Sequence, residues 1–152
     1  MIMPYADDLN FWKTSQSPAD TWIDKTIELI ESFGGVVNSH AFGSDRFGRA
    51  AYMINFRIDE EEFKLIWPVL LTRSNKPADI QAARRQAATM LYHDCKSKCL
   101  KAAIFGARTA FFEYLILPDG QSITQVTVNE LMEAVIPRLL NSGEPGENHD
   151  YV

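Results

Sequence analysis

The spacing of hydrophobic residues changes along the chain and predicts the order of its elements. Apolar side chains recur every three or four residues between positions 22 and 33, the spacing of one helix face. They alternate with polar side chains between positions 52 and 67, the spacing of β-strands. Residues 76–105 are rich in Ala, Leu, Met, Lys and Arg, which favour helix. The pattern therefore predicts a helix, then strands, then a long helix.

Capping residues predict where the helices begin and end. Ser17 is a good N-cap and Pro18 a good first residue for the first helix, which Gly34 ends. Pro77 suits the first position of the long helix, and Gly106 can close it in the left-handed conformation.

Three short strands are predicted between the helices. Residues 35–42 form the first strand, residues 43–48 a polar turn, and residues 59–61 the turn between the second and third strands. The alternation puts one set of side chains on a single buried face: Tyr52, Ile54, Phe56, Ile58, Phe63, Leu65 and Trp67. Pro68 ends the third strand or confines it to a sheet edge.

The C-terminal third is predicted to be helical and smaller. Thr109 caps a short apolar helix over residues 111–115, and residues 117–120 (Leu-Pro-Asp-Gly) form a turn. Thr127 and Glu130 have capping-box spacing ahead of an amphipathic helix within residues 131–140, which Pro137 kinks or ends early.

Together these elements predict an α+β fold: a helix, a three-stranded antiparallel meander, a long helix and a small C-terminal helical appendix. We expect an N-terminal arm over residues 1–16, a single α+β domain over residues 17–140 and a flexible tail over residues 141–152.

Composition narrows the classes of function. The chain has 152 residues, 46% of them hydrophobic, and a net charge of -5, which suits one globular domain with a real core. Net acidity disfavours attraction of nucleic acid or membrane to the whole surface, so any such binding is local. The first residues lack the pattern of a signal peptide, and no apolar run reaches the roughly 20 residues of a membrane helix. We expect a protein of the host-cell cytoplasm that contacts no membrane.

Basic residues concentrate in the long helix. Lys76, Arg85, Lys96 and Lys101 are predicted to contact nucleic-acid phosphates. Projection at 3.6 residues per turn gives an apolar stripe made of Ile80, Ala87, Ala88, Leu91, Cys95, Cys99 and Ala102. The same projection points Arg85, Thr89, His93 and Lys96 away from that stripe.

Arg84 falls near the middle of the apolar stripe, where a guanidinium needs a carboxylate partner or a route to the surface. We predict Glu113 as that partner, in a structural pair that fastens the appendix to the long helix.

The sequence offers no motif for catalysis. Cys95 and Cys99 lie one helical turn apart, too parallel for a disulfide, and His93 projects away from them. The acidic residues have no spacing typical of a metal site. We predict a protein that is not an enzyme and has no catalytic residues, metal or cofactor.

From residue 52 to about residue 140 the chain resembles an uncharacterised family of small phage and prophage proteins. The matching segments are Trp67-Pro68-Val69, Ala83-Arg84-Arg85-Gln86-Ala87, residues 92–98 and residues 112–120. The resemblance implies an accessory protein of a virus or mobile element, with no activity assigned to the family.

Two functions remain open after this comparison. The first is nucleic-acid binding in replication, recombination or repair through the basic long helix. The alternative is a protein-binding inhibitor of a host defence complex, for which a small acidic protein with the acidic run 59–62 is suited.

Overall fold

The structure, a computed structural model, describes residues 3–44 and 49–127. A short 3-10 helix, Ala6–Asp8, precedes the main elements, and a second one, Phe112–Tyr114, lies near the end. The remaining elements, in chain order, are α1 Ala19–Ser32, β1 Val36–Ser44, β2 Ala50–Ile58, β3 Glu61–Val69, α2 Pro77–Phe105, α3 Ala107–Ala110 and α4 Ile123–Thr127. The predicted α+β order is confirmed.

The three strands form an antiparallel sheet in the order β1-β2-β3. Asp59 and Glu60 both have positive φ, 53° and 67°, as a two-residue hairpin turn of type I′ requires. Pro68 pairs with Ala51 inside β3, which is an edge strand. The expectation that proline restricts this strand to an edge is thus confirmed, because an edge strand needs no N–H donor on its outer side.

The long helix has the predicted bounds, whereas the first helix begins later than expected. Pro77 is the first residue of α2, and Gly106, with φ of 90°, ends it. The first helical residue of α1 is Ala19, and Ser17 makes no capping bond. Ser15 provides the polar contact instead, because its Oγ accepts hydrogen bonds from the Ser17 N–H and from Trp22 Nε1.

The hydrophobic core lies between one face of the sheet and the two long helices. Three fully buried aromatic rings form its centre: Phe111 lies 5.3 Å from Phe56 and 5.6 Å from Phe63, centroid to centroid. These contacts join β2, β3 and the chain that follows α2. They fix residues 107–127, hereafter the appendix, against the sheet.

The apolar stripe of α2 is confirmed over most of its length: Ala87, Ala88, Leu91, Cys95 and Cys99 are buried. Ile80, however, is exposed, and Thr89, predicted to point outward, is buried. The projection fails at Thr89 because the middle of α2 is covered from more than one side. The sheet lies on one side, and Trp22 of α1 contacts Tyr92 and His93 on another.

The appendix differs from the predicted helix over residues 111–115. Gly106 lets a new helical turn begin at once, so α3 covers Ala107–Ala110 and Thr109 caps nothing. The predicted turn at residues 117–120 is confirmed: the Gly120 N–H donates to the Leu117 carbonyl at 2.8 Å. The expected helix up to residue 140, the tail 141–152 and most of the turn 43–48 lie outside the described residues.

Across residues 3–44 and 49–127, none of the helices combines the length and the apolar character needed to cross a membrane.

Candidate functional site

The four basic residues predicted to contact phosphate do not form one surface. Lys76, Lys96 and Lys101 are exposed, and Arg85 is half-buried. At about 100° per residue, Arg85 and Lys96 share one side of α2, whereas Lys76 and Lys101 lie on the opposite side. The structure therefore separates the predicted site into two pairs.

Other basic side chains form ion pairs with carboxylates. Arg73 bonds Asp8 at 2.7 Å, and this interaction lowers the pKa of Asp8. Arg108 bonds Glu61 at 2.9 Å. The acidic turn between β2 and β3 thus holds the start of the appendix through Arg108.

The predicted pair of Arg84 and Glu113 is wrong. The Arg84 guanidinium lies 4.3 Å from the centroid of the Phe42 ring, a cation–π contact, and Glu113 forms its ion pair with Lys98. Lys98 comes 14 positions after Arg84 in α2, about 21 Å along the axis at about 1.5 Å per residue. Because the appendix turns back next to the C-terminal half of the helix, Glu113 meets Lys98.

A polar cluster around Lys98 attaches the appendix to α2, the role that was predicted for a pair of Arg84 and Glu113. Lys98 Nζ lies 2.9 Å from Asp94 Oδ1, and the Tyr114 hydroxyl donates to Asp94 Oδ2 at 2.5 Å. Burial by itself would lower the pKa of Lys98, but hydrogen bonds to Glu113 and Asp94 raise it. Burial also raises the pKa of Tyr114, so this hydroxyl stays protonated and keeps donating. The cluster joins α2 to the appendix through four side chains: Asp94 and Lys98 of α2, and Glu113 and Tyr114 of the appendix.

An apolar cavity of about 320 Å³ opens beside β3, and we call it the edge pocket. Four segments line it: the N-terminal arm, the end of β3, the middle of α2 and the appendix. The lining residues are Met3, Pro4, Leu9, Ile66, Trp67, Pro68, Leu70, Gln86, Ala87, Met90, Glu113, Tyr114 and Thr124. Nine of these thirteen side chains are apolar, and the single charged one is Glu113, so the edge pocket favours an apolar group over a charged one.

The chain covers the outer edge of β3 on both sides of this pocket. At one end the Ile116 N–H donates to the Glu62 carbonyl at 3.1 Å. At the other end the Ala6 N–H donates to the Leu71 carbonyl at 2.8 Å. Backbone groups in an antiparallel strand alternate in direction, so Ile66 faces outward like Glu62. Among the described residues, no backbone bond from another segment reaches Ile66, but this residue is only 2% exposed.

The appendix side of the pocket is fixed by Lys64. Its side chain is only 5% exposed, and Nζ donates to the Gly120 carbonyl at 2.5 Å. Burial lowers the pKa of this amine. The bond holds the turn at residues 117–120 against the first half of β3.

The arm side of the pocket is fixed by Gln86, which sequence reasoning did not single out. This side chain is 1% exposed, and its Nε2 donates to the carbonyls of Ala6 and Asn10 at 2.7 and 3.0 Å. The position of a glutamine between alanines on a buried helix face was the available signal. The other lining residues came from segments too far apart for a sequence pattern to connect.

The two thiols are fully buried and hydrogen-bonded to each other, and this hydrogen bond lowers the pKa of Cys99. A hydrogen bond with Cys99 and burial both raise the pKa of Cys95, which disfavours the reactive thiolate there. Within residues 3–44 and 49–127, no cluster of three or more His, Cys, Asp or Glu side chains is arranged to hold a metal ion.

No protein-family model, curated protein or solved structure matches this chain. The resemblance to small phage and prophage proteins therefore stays a hypothesis.

Proposed function

We propose that this protein is a non-enzymatic accessory protein of a phage or prophage, acting in the host cytoplasm, and that it binds a partner protein through the edge pocket. The observation that carries this proposal is an apolar cavity beside β3 that four separate segments of the described chain line together.

The size and polarity of the edge pocket suit an apolar side chain of a partner. Its volume of about 320 Å³ is at the lower end of the range of about 300–1,000 Å³ for ligand sites. Such a cavity accepts one or two large side chains, which supply most of the binding energy in interfaces of this kind. A host defence complex is one class of partner that this chemistry allows.

Filling the edge pocket tests the proposal. Short peptides are selected from a displayed random library on the full-length protein, and the affinity of the best is measured by fluorescence anisotropy. Met90 is half-buried in the pocket wall, so Met90→Trp places an indole in the cavity. We expect the selected peptide to lose at least about tenfold in affinity, about 1.4 kcal/mol.

The matched control is Leu100→Trp, the same new side chain on the same helix at a position 56% exposed and outside the pocket. This variant is expected to bind the peptide like the wild type. Both variants are first checked for an unchanged unfolding midpoint. Failure to enrich any peptide, or equal binding by all three proteins, rejects the proposed function.

Nucleic acid is the second candidate partner because Arg85 and Lys96 share one side of α2. They are separated by about 16 Å along the axis at about 1.5 Å per residue, and the described residues place no carboxylate against either. Two cations at this spacing can contact phosphates of one backbone.

Joint Arg85→Ala and Lys96→Ala substitution tests this candidate on fluorescent single- and double-stranded DNA and RNA. If this surface binds nucleic acid, the variant will bind more weakly on all sequences, and the slope of log affinity against log salt will flatten by about 2. Lys76→Ala with Lys101→Ala is the matched control from the opposite side of the helix. An equal loss for both pairs, or no salt-dependent binding by the wild type, counts against an Arg85–Lys96 surface.

A further inference from the structure

We infer that a second cavity binds a small organic cation, a primary ammonium group carried on an apolar body. This cavity has a volume of about 280 Å³ and lies between α1 and the β1–β2 half of the sheet. We call it the acidic pocket, because Asp20 and Asp24 of α1 line it together with residues 40–42 of β1 and 52–54 of β2. It shares no lining residue with the edge pocket, so this inference is independent of the proposed function.

Two carboxylates lie at the mouth of the acidic pocket. Asp20 and Asp24 are four positions apart on α1, so their side chains lie on the same helix face. Both residues are exposed, and none of the ion pairs between described residues includes either of them. Like charges at this spacing repel each other, and a bound cation would relieve that repulsion.

A buried hydroxyl lies deeper in the same cavity. Tyr52 is only 6% exposed, and the described residues give its Oη no hydrogen-bond partner. Burial raises the pKa of Tyr52 to about 12 against the opposing charge of Arg84, and the charge of Asp20 adds to the rise. The carboxylate of Asp20 therefore lies close enough to act on this hydroxyl. A buried hydroxyl without a partner is costly, and a ligand N–H placed near Asp20 would supply one.

The donors of a primary ammonium group match this set of acceptors. Its three N–H groups can be accepted by the carboxylates of Asp20 and Asp24 and by the hydroxyl oxygen of Tyr52. A metal ion fits less well, because within residues 3–44 and 49–127 no cluster of three or more His, Cys, Asp or Glu side chains is arranged to hold one. An anion would meet two carboxylates of the same sign as itself.

The walls of the acidic pocket favour an apolar body next to the ammonium group. Ile23, Phe42, Met53 and Ile54 line it, and each is at most 5% exposed. Apolar walls with a few placed polar groups are typical of small-molecule sites. The volume lies just below the range of about 300–1,000 Å³ for drug-sized ligands, so a single ring or a short alkyl chain fits.

This chemistry has two sources, a free amine and the side chain of a lysine in another protein. The experiment is an NMR titration of the full-length ¹⁵N-labelled protein with phenethylamine for the first source and Nα-acetyl-lysine methylamide for the second. We expect saturable shifts of the amides of Ile23, Ala41 and Met53, and the compound that binds more tightly identifies the source. The neutral 2-phenylethanol should bind at least about tenfold more weakly than phenethylamine, because it lacks the charge-assisted bonds.

Three variants, each first checked for an unchanged unfolding midpoint, assign the binding to the acidic pocket. Joint Asp20→Asn and Asp24→Asn substitution removes both charges at nearly constant volume and should weaken the amine at least about tenfold. Joint Glu28→Gln and Glu31→Gln substitution removes the same charge from exposed positions of α1 outside the cavity and should leave its affinity unchanged. Tyr52→Phe keeps the ring, removes only the hydroxyl and should weaken the amine about threefold to tenfold.

Four results would overturn the inference. They are the lack of saturable shifts with both amines, equal binding of phenethylamine and 2-phenylethanol, equal losses in the two double variants, and an amine that Tyr52→Phe leaves unaffected. The last result would place the amine at the exposed carboxylates and outside the cavity. None of these variants alters the edge pocket, so the selected peptide should bind all of them like the wild type, and failure here leaves the proposed function standing.

Discussion

Replacing Phe111 by alanine is expected to lower the free energy of unfolding by about 3–5 kcal/mol. The ring is fully buried and contacts Phe56 and Phe63 at centroid distances of 5.3 and 5.6 Å. Its removal leaves a cavity at the junction of β2, β3 and the appendix, which rigid neighbours cannot close. Urea denaturation followed by tryptophan fluorescence measures the change.

Phe112→Ala is the matched control, because the next side chain along the chain is 52% exposed. We expect it to cost less than about 1 kcal/mol. Similar costs at the two positions would show that the appendix does not pack on the sheet through Phe111.

Replacing Gln86 by leucine is expected to lower the free energy of unfolding by about 1–3 kcal/mol. The variant keeps a similar volume but removes the amide that donates to the carbonyls of Ala6 and Asn10. Those carbonyls lose their donor, while other contacts of the arm with α2 remain, among them the Lys13–Asp79 ion pair and the stacking of Phe11 on His93. Limited proteolysis with mass spectrometry should then detect faster cleavage before residue 17.

Gln81→Leu, an exposed position of the same helix, is the control and should leave stability and cleavage unchanged. Because the arm lines the edge pocket through Met3, Pro4 and Leu9, Gln86→Leu should also weaken the selected peptide. An arm that resists cleavage in Gln86→Leu would contradict the role given to this glutamine.

Local patterns in the sequence were sufficient for the order of the elements. The bounds of α2 followed from Pro77 and Gly106, because proline and glycine act on their own backbone dihedrals whatever surrounds them. The strands followed from the alternation in the second half of β2, where Ile54, Phe56 and Ile58 are buried and the residues between them are less so.

The candidate site was harder to predict, as the pair assigned to Arg84 and Glu113 illustrates. A helical projection gives the direction in which a side chain points around the axis. It does not give the position along the axis at which another segment packs, because that position depends on the path of the chain after the helix. The turn at Gly106 brings Glu113 to Lys98. The separation of Lys76 and Lys101 from Arg85 and Lys96, by contrast, follows from helix geometry alone.

The sequence by itself determined the α+β class, the meander, the long helix and the confinement of the strand containing Pro68 to an edge, because each depends on contacts or dihedrals of nearby residues. Only the tertiary structure decided where Arg84 and Glu113 find partners and where the edge pocket forms. These features join the arm, β3, α2 and the appendix, segments up to 121 positions apart between Met3 and Thr124. Their proximity results from packing of the whole core, which no local pattern encodes.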